Sequence, residues 1–134
     1  MNLLSPGIRS LLAANFEYCV RNPRFDPFPL VRLFNPTGRA VWLVTELYPD
    51  GDTLYGLVDL GFGCPELGIF SLCEIEAIDL PLGLKIARDL AFTTRHRLSV
   101  WAEAARLAGS IPDAALLLDR LTREDPGAIR ILPR

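Results

Sequence analysis

An α+β fold, with a mainly antiparallel sheet of four or five strands covered by an N-terminal helix and C-terminal helices, follows from three observations. Residues 41–48 and 53–60 are rich in β-branched and aromatic side chains, and Pro49-Asp-Gly-Asp52 between them has turn chemistry, so they read as a hairpin. Apolar residues at helical spacing sit near the two ends, at Ile8, Leu11 and Leu12 and again at Trp101, Ala104, Ala105 and Ala108. At 134 residues the chain has the length of one domain, 1–134, able to bury a core without metal or disulfide staples.

Ser5 is an N-cap and Pro6 a first helical residue, where a missing N–H costs nothing, so a helix is expected over residues 6–15. Three prolines in Asn22-Pro-Arg-Phe-Asp-Pro-Phe-Pro29 give an extended connector. Residues 30–34 form a strand interrupted by Arg32, and Asn35-Pro-Thr-Gly38 turns it into the strand at 41–48. Pairing Tyr48 with Thr53 in the next hairpin sets Val41, Leu43, Thr45 and Leu47 beside Leu54, Gly56, Val58 and Leu60 on one apolar face. Trp42, Val44 and Glu46 then share the other face with Tyr55, Leu57 and Asp59, covered in part by a helix.

Gly61-Phe-Gly-Cys-Pro65 bends the chain, and residues 67–70 return as a short strand. Ser71-Leu-Cys-Glu74 is a capping box opening a helix from 72 to about 78, ended by Pro81 and Gly83. Residues 84–92 alternate as a last strand, with Arg88 among the apolar positions. Ser99 caps a helix over 100–108 closed by Gly109, and Pro112 opens another to about Arg123, stopped by Asp125-Pro-Gly127. The tail at residues 128–132 reads equally as an edge strand or a frayed end.

Net charge is −2, but it is unevenly placed. Residues 40–84 hold eight carboxylates and no lysine or arginine, while both flanks carry an excess of arginine. No apolar run reaches the roughly 18 residues of a membrane span. The N-terminus lacks a secretory signal pattern, which fits a cytoplasmic protein. Three cysteines, Cys19, Cys64 and Cys73, follow no metal-ligand spacing and read as reduced thiols.

Glu46, Asp59 and Glu66 are the candidates for a carboxylate site, since metal-assisted hydrolysis needs such groups to converge. In the register above Asp59 faces Trp42, about 13 Å along the strand from Glu46, so the two are not a ready-made pair. His96 is the single histidine, and Arg95, His96 and Arg97 before a helix start form a candidate anion-binding loop or an ordinary exposed one. Gly61 and Gly63 lack the third glycine and the long helix of a dinucleotide fingerprint. No cofactor is expected.

Leu33-Phe-Asn-Pro-Thr-Gly38, Trp42-Leu-Val-Thr-Glu46, Gly56-Leu-Val-Asp-Leu-Gly61, Cys64-Pro-Glu-Leu-Gly68 and Arg88-Asp-Leu90 occur here in one order. In this the chain resembles domain of unknown function 2958 over about residues 4–111, leaving a C-terminal helix and tail at 112–134. The resemblance implies a bacterial protein, often borne on plasmids or mobile elements near DNA-maintenance genes, and no established activity. Relatives tend to read Gly-Leu-Pro-Ile-Glu-Arg-Asp-Leu where this chain has Gly83-Leu-Lys-Ile-Ala-Arg-Asp-Leu90, so Lys85 and Ala87 are departures.

The expected function is a non-enzymatic interaction module contacting a basic, DNA-handling protein. Its expected surface is Asp50, Asp52, Glu66, Glu74, Glu76 and Asp79. Two alternatives stand beside it: a small enzyme or nucleic-acid-processing factor at Glu46, Asp59 and Glu66, and direct nucleic-acid binding through Arg88, Arg95 and Arg97. With negative net charge and scattered cations, duplex DNA is expected to bind weakly or not at all.

Overall fold

A computed structural model describes residues 2–124; the stop at Asp125-Pro-Gly127 and the tail at 128–132 lie outside the described residues. One five-stranded antiparallel sheet has the order β4-β3-β2-β1-β5. Its strands are β1 (Val31–Phe34), β2 (Val41–Leu47), β3 (Thr53–Asp59), β4 (Glu66–Ser71) and β5 (Ala87–Arg88). The helices are α1 (Pro6–Arg21), α2 (Leu72–Glu76), α3 (Leu98–Ala108) and α4 (Ile111–Glu124).

Both sheet faces are covered, which makes three layers. On one face Leu3, Leu4 and Leu12 meet Leu33, Trp42, Val44 and Leu54, joined by Leu72 and Ile75 of α2. On the other, Val41, Leu43 and Leu57 pack against Trp101, Ala104 and Ala105 of α3 and Ala114 and Leu118 of α4. Burying each large aliphatic side chain stabilises the fold by about 2 kcal/mol. Alanines at the α3–α4 contact let the two helices approach closely.

The expected hairpin register holds only near its turn. Glu46 pairs with Tyr55 and Leu47 with Leu54, but a bulge between Val44 and Glu46 shifts the rest by one residue. Gly56 therefore faces Val44, not Thr45, and Asp59 faces Val41, not Trp42. The extra residue moves Val41 and Leu43 to the face opposite Leu47, overturning the single apolar face expected for all four. Thr45 is fully buried, and the side-chain amide of Asn15 donates to its carbonyl at 3.0 Å. Sequence patterning cannot reveal a bulge, because its evidence is a partner on another element.

Other boundaries differ for local reasons. α1 continues to Arg21, past the expected Asn15, because no breaker precedes Pro23 and the Phe16 ring packs at a tilt against Tyr48, centroids 4.5 Å apart. α2 is short, ending at Glu76. The long last strand expected at 84–92 shrinks to Ala87–Arg88. A 3-10 turn at Pro81–Gly83 precedes it, and Asp89 closes it by accepting from the Ala91 amide. Ser99 does not cap α3: the N-cap is Arg97, and the Asp26 carboxylate from the connector accepts the Ser99 amide at 3.1 Å and also binds its hydroxyl.

Candidate functional site

Among the described residues β4 lies at one end of the sheet and has a single strand neighbour, β3. The chain reaches it through a bend at residues 61–65 in which Gly61 and Gly63 hold φ of 91° and 83°, a conformation that favours glycine. Asp59 supports the bend, accepting from the Gly61 amide at 2.9 Å. Around this edge the protein exposes Leu60, Leu67, Phe62 (84% exposed) and Ile69 (64% exposed). Isolated exposed apolar residues are ordinary; four grouped at an open strand edge are not.

A cleft of about 340 Å³ opens at the same place, lined by Val58, Leu60, Phe62 and Cys64 and by residues 66–69 of β4, Gly68 among them. A Cβ built on Gly68 would meet nothing within 4 Å, so the fold itself does not demand glycine there. Carboxylates bracket the strand. Glu66 begins it, exposed. Near its end Ser71 Oγ donates to Asp52 at 2.7 Å, the Cys73 amide donates to the same carboxylate at 2.7 Å, and Glu74 stands in the first turn of α2.

The six acids expected to form one surface are therefore divided. Asp52 binds the start of α2, which carries Glu74, and Asp50 sits in the β2–β3 turn, but each aspartate also holds local structure. Asp50 accepts from the Thr53 amide and hydroxyl and the Asp52 amide, which keeps its carboxyl below the usual range. Glu76 accepts from the Leu3 amide at 3.0 Å. Asp79 pairs with Lys85 at 2.6 Å, which likewise lowers its pKa. Glu66 sits at the far end of β4.

Glu46, Asp59 and Glu66 do not converge. Asp59 is fully buried and serves α4, accepting from the Ile111 amide at 2.8 Å. Glu46 lies four strand positions away beside Tyr55. Among the described residues no three of His, Cys, Asp and Glu are placed to hold a metal ion.

Glu46 nevertheless belongs to a second cleft, of about 280 Å³, with Cys19, Phe25, Tyr55 and Ser99. Burial raises the Glu46 pKa against the hydrogen bonds from Thr45 and Cys19 that lower it. Burial, with the Glu46 charge second, pushes the Cys19 thiol up to about 11, and the same two causes raise Tyr55. The sequence set Glu46 beside Tyr55 but not Cys19, which only the docking of α1 on the sheet brings to them.

The basic loop is also partly committed. Arg97 donates to the Asp26 carbonyl at 2.9 Å and lies over Phe28 at 4.3 Å. His96 turns edge-on to Trp101, and burial lowers its pKa, so it resists the charge an anion site needs. Arg95 is exposed, whereas Arg88 is half-buried on β5 with no hydrogen-bond partner for its Nε among the described residues.

No curated protein and no solved structure matches this chain. Residues 3–112, from the approach to α1 to the start of α4, match the family described as protein of unknown function (DUF2958), and the chain belongs to that family.

Proposed function

We propose that this is a non-enzymatic protein-interaction module, a cytoplasmic accessory of a bacterial mobile genetic element. It contacts a basic, DNA-handling protein. The observation that carries the reading is the open β4 edge, where exposed apolar side chains lie between carboxylates at either end. An apolar centre supplies affinity, and the acids select a basic partner. The divided acidic surface shifts weight from the six acids as one face to the edge that Glu66, Asp52 and Glu74 flank. Duplex DNA binds weakly or not at all at physiological salt, because the arginines at 88, 95 and 97 are dispersed or engaged.

A photoreactive residue placed at position 69 in the native host tests this. A discrete protein adduct at 69, and none from the same group at exposed position 116, supports the reading; equal labelling at both sites contradicts it. A second reading, a catalytic or small-molecule site, is favoured by the raised pKa of Glu46 in a cleft with Tyr55. It requires Glu46→Gln to abolish function while the adduct at 69 persists.

A further inference from the structure

We infer that the β4 edge receives an extended segment of the partner as a sixth strand, apolar at its centre and basic at both ends. This rests on the reading of that edge as the contact surface. Among the described residues no strand pairs with the outer side of β4, and such an edge offers a row of backbone N–H and C=O groups that an added strand satisfies.

Gly68 supports the assignment independently. Glycine inside a strand weakens it, and here neither a positive φ nor a close neighbour requires one. Its missing side chain leaves room in the 340 Å³ cleft that it lines together with Val58, Leu60 and Phe62. A large apolar side chain of the incoming strand, level with Gly68, fills that cleft. Its two neighbours point to the opposite face, beside Leu67 and Ile69, because side chains alternate across a strand. The partner segment therefore holds at least three successive apolar residues.

Charge sets its ends. From Glu66 to Ser71 β4 spans roughly 17 Å at about 3.4 Å per residue. Glu66 marks one end, and Asp52 and Glu74 mark the other. β4 itself carries no cation. Lysine or arginine on both flanks of the apolar run meets these carboxylates. A second copy of this chain in the same position would set Glu66 near the other copy's α2 acids, which disfavours self-pairing.

Selection of a random twelve-residue peptide library on the immobilised full chain tests the inference. The expected winners carry three or more successive apolar residues, Lys or Arg on each flank, and no proline between. Their binding falls at least tenfold with Ile69→Lys and with Glu66→Lys, and is unchanged by Leu116→Lys. All three positions are exposed, and an unchanged denaturation midpoint establishes that each variant folds. Winners that need Ile69 but ignore Glu66→Lys, or that carry acidic flanks, overturn the basic-ended strand and leave the edge as a contact surface. Winners indifferent to Ile69→Lys, or no enrichment at all, overturn the inference; indifference also removes the edge as the contact surface. Self-association of the wild type that Ile69→Lys abolishes shows the edge to be taken by a second copy, and overturns it too.

Discussion

A Cβ on Gly56 would lie 1.8 Å from the carbonyl oxygen of Leu43 and 3.1 Å from the Cα of Val44. The backbone of β2 at its bulge leans over β3 at the one position that has no side chain. The bulge and the glycine are thus one device, and the close neighbour is backbone that cannot rotate away. Gly56→Ala is expected to destabilise the fold by about 3 kcal/mol or more. Gly68→Ala, with open space around its Cβ, is expected to leave stability unchanged or raise it by about 0.5 kcal/mol. Chemical denaturation of the two variants side by side checks the contrast.

Asp59 links the sheet to α4 through the Ile111 amide and to the bend through the Gly61 amide. Asp59→Ala leaves both amides without their acceptor and is expected to cost about 2–3 kcal/mol. Asp59→Asn, which keeps a carbonyl acceptor, is expected to cost less. The denaturation midpoints of the two variants rank the effect.

Glu46 carries a pH signature. Burial raises its folded-state pKa, so between the ordinary carboxyl range and that raised value the folded chain holds more of this proton than the unfolded chain does. Stability from this group is fully present below the ordinary carboxyl range and is lost as pH rises through the raised value. Glu46→Gln is therefore expected to flatten the fall in stability above that range, with little effect at lower pH. Denaturation midpoints across a pH series read it directly.

Cys19, with its thiol pushed up to about 11, is expected to react with iodoacetamide at pH 8 far more slowly than exposed Cys64 and Cys73. Mass spectrometry of labelled peptides over time gives the three rates.

Leu82 holds φ of 63° while 94% exposed, so it pays backbone strain without packing in return. Leu82→Gly is expected to stabilise the fold by about 1 kcal/mol. An unmoved or lowered midpoint contradicts this.

Legibility of the fold followed the range of the forces involved. Ser5-Pro6 and Ser71 with Glu74 announce helix starts through bonds within three residues, and Ser5 Oγ and Ser71 Oγ do accept from Ile8 and Glu74. Pro49-Asp-Gly-Asp52 likewise placed its hairpin. The bulge at Thr45 was hidden because its carbonyl is satisfied by Asn15, thirty residues away. Asp26 capping α3 was hidden for the same reason. The candidate edge lay between these cases: Leu67-Gly-Ile-Phe70 was readable as a strand, but its place at the rim depends on the order of all five strands.

Residue-resolved amide hydrogen exchange across β4 tests the openness of that rim most directly. Among residues 66–70, amides facing β3 are expected to be protected and the alternating ones to exchange at near-unprotected rates, while residues 41–44 of β2, paired on both sides, are protected throughout. Uniform protection along β4 in the isolated protein would contradict the account, because the edge would then already be covered.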